Sequence, residues 1–191
     1  MSKFALLIVD LQNAYFNNDA LRDQQSKLLE KTNELIAMAH AYSMPIFNIK
    51  TEHQKDIATW TLNMIDDDSG YLFAGDDDAQ NIDGLQTQDS IEVIKTRDSA
   101  FYGTTLPIML KNHSVDTMIL CGVSTHTCIF QTASDAYAAN FRIILAIDAI
   151  ATHDPKYHQN ALTILETEYR QRSMNLEKLK DYIQDNRQQN T

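Results

Sequence analysis

Cysteine, glycine, proline and basic side chains are all scarce in this chain. Two cysteines among 191 residues make neither a disulfide framework nor a zinc motif, and a cytoplasmic setting with reduced thiols is expected. Five glycines supply no GxGxxG and no Walker loop, so nothing supports nucleotide binding. No Gly- or Pro-rich linker and no internal repeat divides the chain. Lys and Arg total 16 against 26 Asp and Glu, a formal net charge of −10. Nucleic acid and anionic membrane surfaces both require clustered cations, so neither is expected as a partner. No run approaches the roughly 20 apolar residues of a membrane span. Met1-Ser2-Lys3 leads directly into strand-like sequence, without the pattern of a signal peptide.

What is present is enough for one core. Apolar residues make up 43% of the chain, a globular composition. Strand and helix signals alternate. Phe4 to Val9 is continuously apolar, as a strand buried on both faces should be. Leu21, Leu28, Leu29, Leu35, Ile36 and Ala39 recur at helical spacing, which predicts one helix over 20–42. Strands are expected at 45–49, 91–95, 115–123 and 141–147, with a weak sixth near Ser173-Met174. Helices are expected at 106–111, 125–139 and 155–171, the last opened by Asp154 as N-cap and Pro155 as first residue.

Such alternation predicts a parallel sheet with helices on both faces. The expected fold is α/β: a three-layer αβα, Rossmann-like domain with a mostly parallel, five- to six-stranded sheet in the order 3-2-1-4-5-6. One domain over 1–183 is expected, with 184–191 as a frayed tail. The stretch from Thr51 to Ser90 is too long for an ordinary connection and should carry structure or function. Within it, Asp66-Asp67-Asp68 and Asp76-Asp77-Asp78 lack the ligand alternation of a calcium loop and read as solvated acidic turns.

Three chemistry-bearing residues close strands. Asp10 ends the first, Lys95 the third, and Cys128 follows the fourth in the opening turn of a helix. All strand ends of a parallel sheet share one edge, the edge where ligands bind. An acid, an amine and a thiol should therefore meet in one cleft, an arrangement suited to nucleophilic catalysis. The helix start and the Lys95 ammonium are expected to lower the Cys128 pKa, and Asp10 could take the thiol proton. Cys121, inside an apolar strand, reads as inert. His126 is a poor partner for Cys128, because side chains two apart on a helix diverge. Asp148 is a second candidate acid whose structural role would be capping.

These segments resemble the isochorismatase-like cysteine hydrolases over about Ala5 to His153. Cys121-Gly122-Val123-Ser124-Thr125-His126-Thr127-Cys128 is similar to the family's Gly-Val-(Ser/Thr/Ala)-Thr-x-x-Cys signature. Ala5 to Phe16 (ALLIVDLQNAYF) resembles its first motif, and Lys95 followed by Ser99-Ala100-Phe101-Tyr102-Gly103-Thr104 its second. The resemblance implies a catalytic triad of Asp10, Lys95 and Cys128. It also implies a cis peptide between Val123 and Ser124, and an oxyanion hole from the backbone N–H groups of Ser124 and Cys128. A homo-oligomer acting on a small-molecule amide is implied as well.

Because Cys128 is present, hydrolysis of a C–N bond (amide or carbamoyl) through a thioester is expected. The alternatives are an isochorismatase-type vinyl-ether hydrolase and a non-catalytic scaffold. Nicotinamidases carry Asp-x-His after the second strand as part of a metal site. Here the segment reads Thr51-Glu52-His53, so no metal and no cofactor is expected. Gln12, Phe16, Trp60, Phe101 and Tyr102 are the expected substrate-binding neighbours. Arg97 should point away from Lys95 and form a surface salt bridge.

Overall fold

The computed structural model describes residues 3–188. Met1 and Ser2, which precede the first strand, lie outside the described residues, as do 189–191 of the expected tail.

Alternation within single strands explains the layers. In β1 (Phe4–Val9), Phe4, Leu6 and Ile8 enter one hydrophobic cluster while Ala5, Leu7 and Val9 enter another. Successive strand side chains point to opposite faces, so a strand with no polar position must be covered on both. β4 (Thr117–Val123) behaves identically: Ile119, Cys121 and Val123 face one cluster, Met118 and Leu120 the other. With β2 (Ile46–Thr51), β3 (Ile91–Lys95), β5 (Arg142–Ala151) and β6 (Arg172–Met174) they form one six-stranded sheet in the order β3-β2-β1-β4-β5-β6. All five pairings are parallel. The fold is the three-layer α/β architecture expected, with the sixth strand present.

Helices cover the two faces by their apolar stripes. α1 (Asp19–Arg22) and α2 (Gln25–Ala41) bring Leu21, Leu28, Leu35, Ile36 and Ala39 to the first cluster. After the short α3 (Leu62–Asp66) comes α4 (Leu106–Asn112), which packs Leu106 and Leu110 on the second cluster. α5 (Phe130–Ala138) and α6 (Pro155–Thr167) cover that same face with Ala133, Ala136, Leu162 and Leu165. α7 (Leu176–Gln188) returns to the first cluster through Leu179 and Ile183. Among the described residues no helix is long and apolar enough to cross a membrane.

Several boundaries differ from the sequence reading. The helix expected over 20–42 is broken at Asp23 and Gln24. α6 stops at Thr167 rather than near Gln171, because Arg170 takes a left-handed backbone (φ 52°) and the Gln171 side chain accepts the Ile143 N–H (2.8 Å). β5 extends to Ala151 past an irregularity opposite Leu120 and Gly122. α7 continues to Gln188, into the stretch expected to fray. The 51–90 segment contains α3 and two short 3-10 turns, tied back by bridges from His53 to Phe73 and from Gln12 to Asn81. Its acidic turns are not merely solvated: Asp78 accepts the Leu72 N–H (3.0 Å), and Asp76 pairs with Lys55 (2.9 Å).

Candidate active site

The C-terminal ends of β1, β2, β3 and β4 converge as a parallel sheet requires. Asp10 leaves β1 in a left-handed conformation (φ 53°), which Asp tolerates better than most side chains. Its N–H still donates to the Ile49 carbonyl (2.9 Å), so the turn starts from a fixed strand. Thr51 and Lys95 are register partners at the ends of β2 and β3. Gly122 of β4 lies beside Val9. Its φ of +115° and the collision a Cβ would make with the Val9 carbonyl oxygen exclude any side chain there. The Val123–Ser124 peptide is cis, and a π turn over Thr125–Ile129 then leads into α5. Cys128 sits in that turn, 3% exposed.

The side chains form a closed polar network. Lys95 Nζ lies 2.8 Å from Asp10 Oδ2, with both side chains fully buried. The same ammonium donates to Thr51 Oγ1 (2.6 Å) and to Cys128 Sγ (3.5 Å). Thr51 Oγ1 donates to Asp10 Oδ1 (2.9 Å) and accepts from the Tyr15 hydroxyl (3.4 Å). Lys95 thus contacts Asp10, Thr51 and Cys128 at once, and Thr51 braces the carboxylate against the ammonium. The structure brings Asp10, Lys95 and Cys128 together. Thr51 and Tyr15 are partners the sequence reading missed. Thr51 was findable by the same edge logic, since it ends a strand, and Tyr15 lies within the first motif.

Burial opposes the Lys95 ammonium, yet the Asp10 charge and the sulfur outweigh it and hold the pKa above its ordinary value. Cys128 differs from expectation. Burial pushes its thiol up, the Asp10 carboxylate adds to that, and Lys95 only partly opposes it, so the pKa stands above the usual thiol range. The helix start does not win, because desolvation of a fully enclosed sulfur is the larger effect. The resting group is a neutral thiol beside a carboxylate. Tyr15 is raised well above its ordinary value by burial, then by Asp10 and Cys128.

Cys121 behaves as a buried apolar group, its Sγ facing the Leu7 carbonyl at 3.6 Å. Burial pushes its pKa up to about 12. The folded chain therefore holds this proton more tightly than the unfolded chain, whose thiol ionises near its ordinary pKa of about 8.5. Stability is untouched below that pH and falls as pH rises toward 12, with one such thiol contributing up to about 1.4 kcal/mol per pH unit. Urea denaturation at pH 8, 9.5 and 10.5 should show a shallower alkaline loss in Cys121→Ala than in the parent. Parallel losses would refute this assignment.

The contacts of the five expected pocket residues are with their own surroundings. Gln12 is wholly buried; its amide donates to the carbonyls of Thr51 (2.9 Å) and Ala79 (2.8 Å), and its oxygen accepts the Thr51 N–H (2.9 Å). With those groups satisfied it is a clamp between β2 and the 51–90 segment. Phe16 is core, packed in the first cluster. Trp60 packs on Phe73 and donates its indole N–H to the Gln54 carbonyl (3.0 Å), serving the loop's own packing. Phe101 turns onto Phe141, which precedes β5 at the opposite sheet edge. Tyr102 is 67% exposed.

Arg97 departs from its expected role, while His126 and Asp148 take the structural roles expected of them. Among the described residues Arg97 has no salt-bridge partner; its guanidinium donates to the Thr59 (2.8 Å) and Thr96 (2.6 Å) carbonyls. His126 contacts the Thr152 hydroxyl (2.7 Å) and stacks on Tyr157 instead of meeting the thiol. Asp148 caps α7 by accepting the Leu176 N–H (2.9 Å).

At the nicotinamidase metal position Thr51 stands in place of a carboxylate. Thr51 is consumed by the triad network, and His53 Nδ1 is hydrogen-bonded to the Thr59 carbonyl (2.8 Å). Among the described residues no group of three or more His, Cys, Asp or Glu side chains could hold a metal ion.

A further carboxylate meets the thiol, which donates to it. Asp98 Oδ1 lies 3.8 Å from Cys128 Sγ. The Tyr71 phenol is raised by burial and then by Cys128, Asp98 and Asp10, which places it in their field.

A family model described as isochorismatase domain matches residues 4–172. The isochorismatase family protein YecD of Escherichia coli is 28% identical over 159 residues, spanning 83% of this chain and 85% of its own. The crystal structure of an isochorismatase family protein from Desulfovibrio vulgaris superposes with a TM-score of 0.86 at 24% identity, over 96% of this chain and 99% of that one; this likeness is one of fold. N-carbamoylsarcosine amidase from Thermoplasma acidophilum superposes with a TM-score of 0.78 at 26% identity, over 91% of this chain and 96% of its own. The chain belongs to the isochorismatase family, whose hydrolases include amidases.

Proposed function

We propose that this chain is a cysteine hydrolase that cleaves the C–N bond of a small-molecule amide or carbamoyl compound through a thioester on Cys128. The observation that carries this reading is one buried ammonium, Lys95 Nζ, in contact with both the Asp10 carboxylate and the Cys128 sulfur. A neutral thiol needs a base at the moment of attack, and Asp10 is held in place for that role by Lys95 and Thr51.

In the proposed reaction Sγ attacks the carbonyl carbon while Asp10 takes the thiol proton. The N–H groups of Ser124 and Cys128, at the start of the helical segment, receive the developing oxyanion; stabilisation of this kind is a large part of acyl-transfer catalysis. Asp10 returns the proton to the departing nitrogen, and ammonia or an amine leaves behind a thioester. Asp10 then takes a proton from water as the water attacks. Collapse releases an acid or carbamate and restores the thiol, which takes that proton back. Lys95 stays charged throughout and keeps carboxylate and sulfur in register.

The test is an ammonia-release screen over nicotinamide, ureido acids, biuret, simple amides and lactams, with intact-mass analysis after acid quench. A hit should show a transient adduct on Cys128. Turnover with no adduct under conditions that trap the acyl-enzyme would refute the thioester route.

A further inference from the structure

The cations around the thiol are already committed. Lys95 is shared among Asp10, Thr51 and Cys128, and Arg97 is spent on two backbone carbonyls. His53 is held below its usual pKa by burial, so it adds no charge at neutral pH. Besides Asp10 and Lys95, the charged side chain placed directly against the sulfur is negative. Asp98, on the loop leaving β3, has Oδ1 3.8 Å from Cys128 Sγ and Oδ2 accepting the Gln131 amide (2.7 Å). Among the described residues no Lys or Arg pairs with it. Asp98 is half-buried and Gln131 exposed, which puts this carboxylate on the solvent side of an enclosed sulfur. Two carboxylates and one ammonium thus surround the thiol.

We propose that Asp98 is a specificity-determining residue: it favours amide or carbamoyl substrates that carry an ammonium beside the scissile bond and rejects those that carry a carboxylate there. This rests on reading Cys128 as the nucleophile. The charge of Asp98 reaches the site: after burial and Asp10 it adds to the upward push on Cys128, and after burial and Cys128 to that on Tyr71. A neutral substrate crosses this field unaided, while a charged one gains or loses by its sign. At an effective dielectric near 20 and partial exposure, the discrimination should be about tenfold in each direction.

Three matched amides test it: β-alaninamide, propionamide and succinamate, which differ in one terminal charge. In the parent, kcat/KM should fall in that order. Asp98→Asn keeps the side-chain shape and should shrink the ratio of β-alaninamide to succinamate by about a hundredfold. A ratio unchanged in the variant overturns the proposal, even if absolute rates move. A second arm needs no turnover. Cys128 is alkylated with iodoacetamide or iodoacetate and quantified by peptide mass. The neutral reagent should be preferred over the anionic one more strongly than by free cysteine, and Asp98→Asn should abolish the excess. If no amide is cleaved but the alkylation preference behaves so, the amidase reading fails and the role of Asp98 stands. If amides are cleaved and neither ratio responds to Asp98→Asn, the filter fails and the amidase reading stands.

Discussion

Cys128→Ala should lose turnover by at least about 10⁴-fold while keeping the fold. The sulfur is the only atom in the site able to form the thioester, and nothing else there can substitute: Thr51 Oγ1 is held by Asp10, Lys95 and Tyr15. The structural cost is small because one buried atom is removed, worth about 1 kcal/mol of lost packing. The charged pair beneath it, Asp10 with Lys95, remains intact. Cys128→Ser is the sharper test. A hydroxyl fits the space and keeps the contact with Lys95, but it is far harder to ionise than the thiol, whose own pKa burial already raises. The serine variant should be nearly as inactive as the alanine one. Ammonia release and thermal melts on the two variants check this together. Activity within tenfold of the parent in either, with an unchanged melt, would remove Cys128 from the chemistry.

The triad was legible in the sequence because the fold was. A continuous run such as Phe4 to Val9 can only be a two-sided strand, and the residue closing it must stand at the common edge. That logic positioned Asp10, Lys95 and Cys128 with no knowledge of side-chain direction. It does not fix where neighbouring aromatic rings pack. Phe16 and Phe101 lie close in sequence to triad residues, yet one is drawn into the core and the other onto Phe141. Proximity along a loop does not fix where an aromatic ring points; the packing of distant elements does.

The thiol's acidity departs from the sequence expectation for a similar reason. A helix start and an ammonium can be read from sequence, whereas the degree of enclosure, which dominates, is a tertiary property. Arg97 shows the same limit. Its partners are the carbonyls of Thr59 and Thr96, and the first of these depends on where the 51–90 segment folds back. α7 left a signal, since Leu176, Leu179 and Ile183 recur at helical spacing, but the surrounding charge hides the short apolar stripe.

Lys95→Met should be the most destabilising single change at the site, and its effect should be reversible by a second one. Methionine fills the space of the aliphatic stem but removes the charge that neutralises Asp10. The carboxylate, 0% exposed, would then keep neutral partners alone, the Thr51 hydroxyl first among them. Breaking a buried ion pair from one side costs about 3–5 kcal/mol. For a chain of this length that is a fall in melting temperature on the order of 10 °C. Adding Asp10→Asn removes the orphaned charge, so the double variant should regain most of the loss. Turnover should be absent in both, because the double variant has neither the base nor the cation that aligns it. A double-mutant cycle on urea denaturation, run beside the ammonia assay, separates the two roles. If Lys95→Met melted like the parent, or if Asp10→Asn failed to restore it, the pair would not be the electrostatic unit on which both the stability of this edge and the proposed proton transfer depend.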